Sequence, residues 1–198
     1  SFLKFSESFA VRFSHAIISD NQAITDYVKS EYGCNSFTIA YGGDHAFFPK
    51  QNLAKVSSIK LASNKYYFSL CRIEPENNVH LILDSFSKSG FPLKFVGNWS
   101  SSDYGKNLFQ EFSSYSNIDM ISPVYDINIL FELRTNCVGY VHGHSAGGTN
   151  PSLVEAMHFG KPIFAFDCDF NRFTTCNKAF FFSTPDELID LLNDTTIS

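Results

Sequence analysis

No pair of cysteines in this chain stands at C-x-x-C spacing. The five that occur, Cys34, Cys71, Cys137, Cys168 and Cys176, are odd in number. That argues against a disulfide framework and against a thiolate zinc site, and leaves reduced thiols in a cytosolic protein. An excess of basic residues is also lacking. The formal net charge of −5 argues against a basic face that tracks nucleic acid, yet leaves room for a small cationic pocket. No apolar run reaches membrane-spanning length and no secretory leader is visible. Internal repeats and low-complexity tracts are absent. Tryptophan is nearly absent, with Trp99 alone, whereas phenylalanine is overused at 22 residues. At 44% hydrophobic residues the chain has the material for a packed core, and much of the phenylalanine is expected inside it. The chain opens with Ser inside an amphipathic pattern, so a fragment of something longer is expected.

Residues 2–14 place Phe2, Phe5, Phe9 and Phe13 at helical spacing. A short apolar strand follows at 15–19. Asp20-Asn21 offers a cap for a helix over 22–30, which Gly33 ends. A second strand spans 36–41. Residues 49–65 are polar and mixed and read as a connector. Beyond them strands are expected at 66–70, 93–96, 118–121, 138–141, 162–166 and 179–182. Helices are expected at 79–88, 104–115, 126–134, 151–159 and 185–192. Short apolar strands alternating with helices imply βαβ units and a parallel sheet. The fold class expected is therefore α/β, a doubly wound Rossmann-like sheet. Residues 1–48 read as the tail of a preceding domain with its linker, and 49–198 as the main domain. Ligands in such sheets bind beyond the carboxyl ends of the strands, where Gly97-Asn98, Gly143-His144 and Asp167 fall.

The most informative stretch is Val141 to Lys161, VHGHSAGGTNPSLVEAMHFGK. A strand stops, a loop with Gly147 and Gly148 follows, and a helix starts near Pro151. Proline suits a first helical position, Thr149 or Asn150 can cap, and free N–H groups at such an end attract an anion. The pattern is neither a Walker loop nor a G-x-G-x-x-G fingerprint. On spacing alone Glu155 reads as a capping or surface residue, though a carboxylate there can accept bonds from sugar hydroxyls. Arg72, just past a strand end, reads equally as a solvated side chain or as a bidentate diphosphate ligand. His142 and His144 flank Gly143 without an acidic or thiol partner at ligand spacing, so no metal site is expected. Asp167 and Asp169 read as loop and capping residues, and His80 as structural.

Val141 to Phe166 resembles the donor-binding signature of the GT-B glycosyltransferases, family 4. The variant Gly-Gly-Thr-Asn-Pro-Ser-Leu-Val-Glu-Ala-Met, preceded by His144-Ser145, is similar to that of bacterial rhamnosyltransferases of polysaccharide assembly. Phe95-Val96-Gly97-Asn98-Trp99, Pro123-Val124-Tyr125-Asp126 and Ile17-Ile18-Ser19-Asp20-Asn21 resemble further segments of those enzymes in the same order. The resemblance implies the carboxy-terminal, donor-binding domain of a two-domain enzyme that retains anomeric configuration. It implies that Arg72 neutralises the donor diphosphate. Gly147, Gly148, Thr149 and Asn150 would offer amides to phosphates and sugar, Glu155 would take ribose hydroxyls, and Val124 and Tyr125 would flank the base. No cofactor is implied beyond a nucleotide-sugar substrate such as dTDP-rhamnose, a UDP-sugar or a GDP-sugar. A lipid-linked saccharide acceptor, and any membrane surface, would be met through the other domain, in a cytoplasmic protein at the inner face of the membrane. Two departures stand out. Gly147 occupies the place of the family's first Glu, whose contact with the donor sugar His144 is a candidate to replace; His144 is also the candidate catalytic group. Asn77 occupies the place of a diphosphate-binding Lys. Two other functions stay open on the sequence: a non-catalytic nucleotide-sugar-binding module and a nucleotide-sugar epimerase.

Overall fold

The computed structural model describes residues 2–47 and 65–196. Six parallel strands form the main sheet: β3 (Tyr67–Leu70), β4 (Leu93–Val96), β5 (Ile118–Ile121), β6 (Gly139–His142), β7 (Ile163–Phe166) and β8 (Phe180–Phe182). Their spatial order is β5-β4-β3-β6-β7-β8. The chain winds outward from β3 to one edge, returns to β6 and winds to the other edge. That is the doubly wound arrangement, and it opens a crevice where the winding reverses, between β3 and β6.

Side-chain alternation explains how one sheet carries two cores. Tyr67, Leu93, Phe95, Val141, Phe164 and Phe182 bury one face against α3 (Val79–Ser89), α4 (Asp103–Phe112) and α8 (Pro185–Thr196). Tyr66, Phe68, Val96, Tyr140, Ile163 and Ala165 bury the other against α5 (Ile127–Asn136) and α6 (Pro151–Met157). Each such fully buried large side chain contributes roughly 1.5–3 kcal/mol. A further helix, α7 (Asp169–Thr174), begins at Asp169, in a stretch that the sequence presents only as loop and caps. Six residues are too few to display a periodic apolar stripe.

The amino-terminal segment holds α1 (Phe2–Phe13), α2 (Gln22–Tyr32) and the two-residue strands β1 (Ile18–Ser19) and β2 (Phe37–Thr38), which pair in parallel. Both strands are shorter than their apolar runs suggest. Asn21 caps α2 by accepting from the Ala23 amide, and Gly33 closes it at φ 66°. The phenylalanines expected in a core divide here. Phe2, Phe5, Phe9 and Phe13 of α1 are exposed, with ring contacts between Phe5 and Phe9 and between Phe9 and Phe13. No helix among the described residues is long and apolar enough to cross a membrane. The connector expected at 49–65 lies, apart from Lys65, outside the described residues.

The segment is fastened to the main sheet by buried polar contacts. Thr149 donates to the Asp20 carbonyl at 2.7 Å, and Asn21 Nδ2 reaches Thr149 Oγ1 at 3.0 Å and Phe170 O at 3.2 Å. Thr149 and Asn21 are both buried, and satisfied buried polar pairs of this kind hold a geometry because losing one partner strands the other.

Candidate functional site

A cleft of 470 Å³ lies beyond the carboxyl ends of β3, β4 and β5. Cys71 and Arg72 follow β3, Gly97 and Asn98 follow β4, and Pro123, Val124 and Tyr125 follow β5. Across from them stand Asn150, Pro151, Ser152 and Glu155 at the start of α6, with Asn77 on the floor. Arg72 supplies the cation of this lining and Glu155 the carboxylate. The topology thus brings Arg72, Asn77, Asn150, Glu155, Val124 and Tyr125 into one cavity from segments far apart in sequence. Gly147, Gly148, Thr149 and His144 do not line it.

The glycine loop also meets the amino-terminal segment. Gly147 and Gly148 lie at φ 89° and 87°, a left-handed conformation that side chains disfavour. A Cβ on Gly148 would stand 2.7 Å from the Asp20 carboxylate and 2.9 Å from Ile24. Gly148 and Thr149 therefore seat the loop on the amino-terminal segment, and the Thr149 hydroxyl is consumed there. The start of α6 is also less open than the sequence implies. Pro151 has no N–H, and Asn150 Oδ1 takes the Ser152 amide at 3.0 Å and the Ser152 hydroxyl at 2.8 Å. The helix ends at Met157 rather than Phe159. Seven residues give a weaker dipole than the longer helix expected.

Asn77 is no free pocket ligand. It is buried, donates from Nδ2 to the Arg72 carbonyl at 2.8 Å, and accepts through Oδ1 from His144 Nδ1 at 2.8 Å. With the amide in that orientation, neutral His144 carries its proton on Nδ1. Burial, the largest influence, holds His144 below the ordinary histidine range. Arg72 pushes the same way, while Glu76 and the Ala146 backbone push upward. The approach of the two chain segments requires Gly143, whose Cβ would stand 2.2 Å from the Asn77 carbonyl oxygen. Around this knot Asn78 donates to the Gly143 carbonyl at 2.9 Å and Asn171 to the His144 carbonyl at 2.8 Å. His142, two residues before His144, is buried and stacks on Tyr140, with Nε2 unpartnered. Burial, with help from His144, pushes its pKa down to about 3.

Glu155 is held by two residues that sequence reasoning does not single out. Arg134 on α5 bonds Glu155 Oε2 through Nη2, and His45 Nε2 lies 3.1 Å from Oε1. Arg134 sits one turn after Leu130, on a stripe that otherwise reads as apolar. A charge in a core-facing position was the available signal. His45 offered none. Asp167, read from the sequence as a loop or capping residue, is tied to Arg172 at 2.5 and 2.7 Å, and that guanidinium holds its carboxyl below the usual range. No group of three or more potential metal ligands occurs among the described residues. The Cys71 thiol, in the lining, is pushed up to about 12 by burial, and that of Cys137 to about 11.

A family model described as Glycosyl transferases group 1 matches residues 51–195. The chain belongs to this family. Residues 1–44 match a second model, a domain of unknown function, DUF1972. No curated protein matches the chain. Solved structures similar to it include Anabaena HepE in complex with UDP and glucose, at 19% identity and a TM-score of 0.76, over 97% of this chain and 56% of that one. Sucrose-phosphate synthase from Thermosynechococcus elongatus has 13% identity and a TM-score of 0.78, over 97% and 51%. A TarM variant from S. aureus, in complex with UDP among other ligands, has 13% identity and a TM-score of 0.73, over 98% and 40%. At these identities the likeness is one of fold. This group 1 chain spans only 40–56% of the length of those three proteins. Its sheet is that of the carboxy-terminal domain of GT-B glycosyltransferases.

Proposed function

We propose that the cleft binds the nucleoside diphosphate portion of a sugar donor, and that the whole protein transfers the sugar to a saccharide acceptor. One observation carries this reading: Arg72, Glu155 and the Val124-Tyr125 turn, which the family resemblance makes ligands of diphosphate, ribose and base, line a single cavity at the sheet's switch point. In this reading Arg72 faces the diphosphate and stabilises the charge that grows on it as the sugar departs. Glu155 accepts from the ribose hydroxyls. Val124 and Tyr125 flank the base, with the Tyr125 ring 87% exposed and free to settle on it.

The finer assignment rests on the sequence resemblance: retention of configuration, rhamnosyl-type transfer, and a lipid-linked acceptor in bacterial polysaccharide or O-antigen assembly. His144 enters as a support of the Arg72 loop through Asn77, not as a group in contact with the donor. Thermal-shift titration with UDP, dTDP and GDP tests the reading. A saturable rise in melting temperature with one of them is expected, because a ligand that binds only the folded state stabilises it by mass action. No shift with any of the three at millimolar concentration removes the proposal.

A further inference from the structure

We propose that Arg134 is a positioning residue of the donor site: it fixes the Glu155 carboxylate in the one orientation that reads ribose hydroxyls. The inference rests on the reading of Glu155 as the ribose ligand and adds how the site achieves that selectivity.

Arg134 is 3% exposed, on α5, with no direct part in the cleft lining. A guanidinium so placed is costly to bury, and replacing a buried ion pair as a whole by apolar side chains of similar volume is often no worse for stability. Its bonding is also incomplete. Nη2 reaches Glu155 Oε2, the Phe159 ring lies 5.9 Å from the guanidinium carbon, and Nε has no partner. A residue present only to satisfy the core would not leave a donor stranded. What the pair does accomplish lies on the carboxylate. Arg134 occupies one oxygen from beneath and His45 the other from the amino-terminal segment. A carboxylate has about four acceptor sites, so acceptor capacity is left over on this residue of the cleft lining. The Glu155 side chain keeps 19% of its surface exposed. It is a carboxylate immobilised before any ligand arrives.

A free glutamate would have to be ordered on binding. Ordering one rotamer-rich side chain corresponds to about a 2- to 12-fold loss in affinity. That loss falls only on ligands that engage the carboxylate. Arg134 therefore contributes to discrimination between nucleotides with and without ribose hydroxyls, rather than to nucleotide binding at large.

The test compares UDP, dTDP and GDP with their analogues that lack the 2′ and 3′ hydroxyls, by calorimetric titration. For whichever base binds, the parent is expected to prefer the hydroxyl-bearing form. Arg134→Met should lower that preference about 2- to 12-fold, chiefly by weakening the hydroxyl-bearing form. Arg134→Lys, which keeps the charge, should recover part of it. A parent without any preference would show that Glu155 does not read the ribose at all. A preference that is present in the parent and unchanged in Arg134→Met overturns the positioning role alone. Should Arg134→Met not fold, Arg134→Gln, which drops the charge and shortens the reach, decides the same question: a preference equal to the parent's overturns the role.

Discussion

Replacing Asn77 by alanine probes the joint on which the Arg72 loop hangs. The side chain makes two bonds, one to the Arg72 carbonyl and one to His144 Nδ1. These losses are unequal. The Arg72 carbonyl still accepts from the Glu74 amide at 3.0 Å, so only a net hydrogen bond is lost there, about 1 kcal/mol. The buried His144 N–H loses the acceptor it now has on Asn77, at about 1–3 kcal/mol. Together Asn77→Ala should cost about 2–4 kcal/mol of stability. With a urea slope of about 2 kcal/mol per molar, the unfolding midpoint should fall by about 1–2 M at an unchanged slope. Asn77→Asp keeps the acceptor toward His144 and loses the donor, and should fall between parent and alanine variant. A loss below about 0.5 kcal/mol, the range of ordinary surface substitutions, would refute the two-way bond and with it the idea that Asn77 replaces a ligand by a brace.

Three further outcomes are expected. Gly143→Ala drives a methyl to within 2.2 Å of the Asn77 carbonyl oxygen. Backbone must move, so a loss of at least about 1–3 kcal/mol is expected in urea unfolding; parent-like stability would contradict the close approach. Arg72→Ala should weaken nucleoside diphosphate binding by about 1–3 kcal/mol, the scale of a bond to a charged group, with little change in melting temperature; equal affinity by calorimetry would remove Arg72 from the site. The pH dependence follows from His142. Its folded pKa, about 3, lies below the ordinary 6.5, so between those values the unfolded chain binds the extra proton. Stability should therefore fall as pH drops below about 6.5, approaching about 1.4 kcal/mol per pH unit from this residue. His142→Leu should remove nearly that much of the slope between about pH 5.5 and 4.5, and an unchanged slope would show that the imidazole is not buried neutral.

The fold was legible because each apolar run is short and bounded. Residues 93–96 and 118–121 are strands as spaced, and helices at 79–89 and 127–136 follow from period and caps. What escaped was fixed by tertiary contact. Strands 15–19 and 36–41 shrink to two residues each, because hydrogen bonding between them ends where the chain segments diverge, which no local pattern records. Within the site, Arg72, Val124, Tyr125 and Glu155 were placed by a resemblance, and the topology brings them together. The bonds of the Thr149 hydroxyl escape the sequence, since nothing in its neighbourhood points to Asp20 and Asn21, some 130 residues earlier. His45 escapes for the same reason, and Arg134, which shares its partner Glu155, shows itself only as a charge in a core-facing position.

Under the proposed function, these placements bear on where a grip on a diphosphate would come from. The sequence offers a helix start with free amides, a proline at its first position and Asn77 where the family has a lysine. The structure gives a helix of seven residues, opened by a proline without N–H and capped by its own Asn150, with Asn77 turned into a brace. The field of so short a helix falls off within its first turn. In the proposed reading the charge that meets two phosphates is Arg72, whose backbone carbonyl is anchored through Asn77 to the strand end that carries His144. Specificity and charge are thus served by different braces: Asn77 sets the Arg72 loop from one side of the cleft, and Arg134 sets Glu155 from the other. Damage to either brace should reach the donor without any loss of a group that touches it.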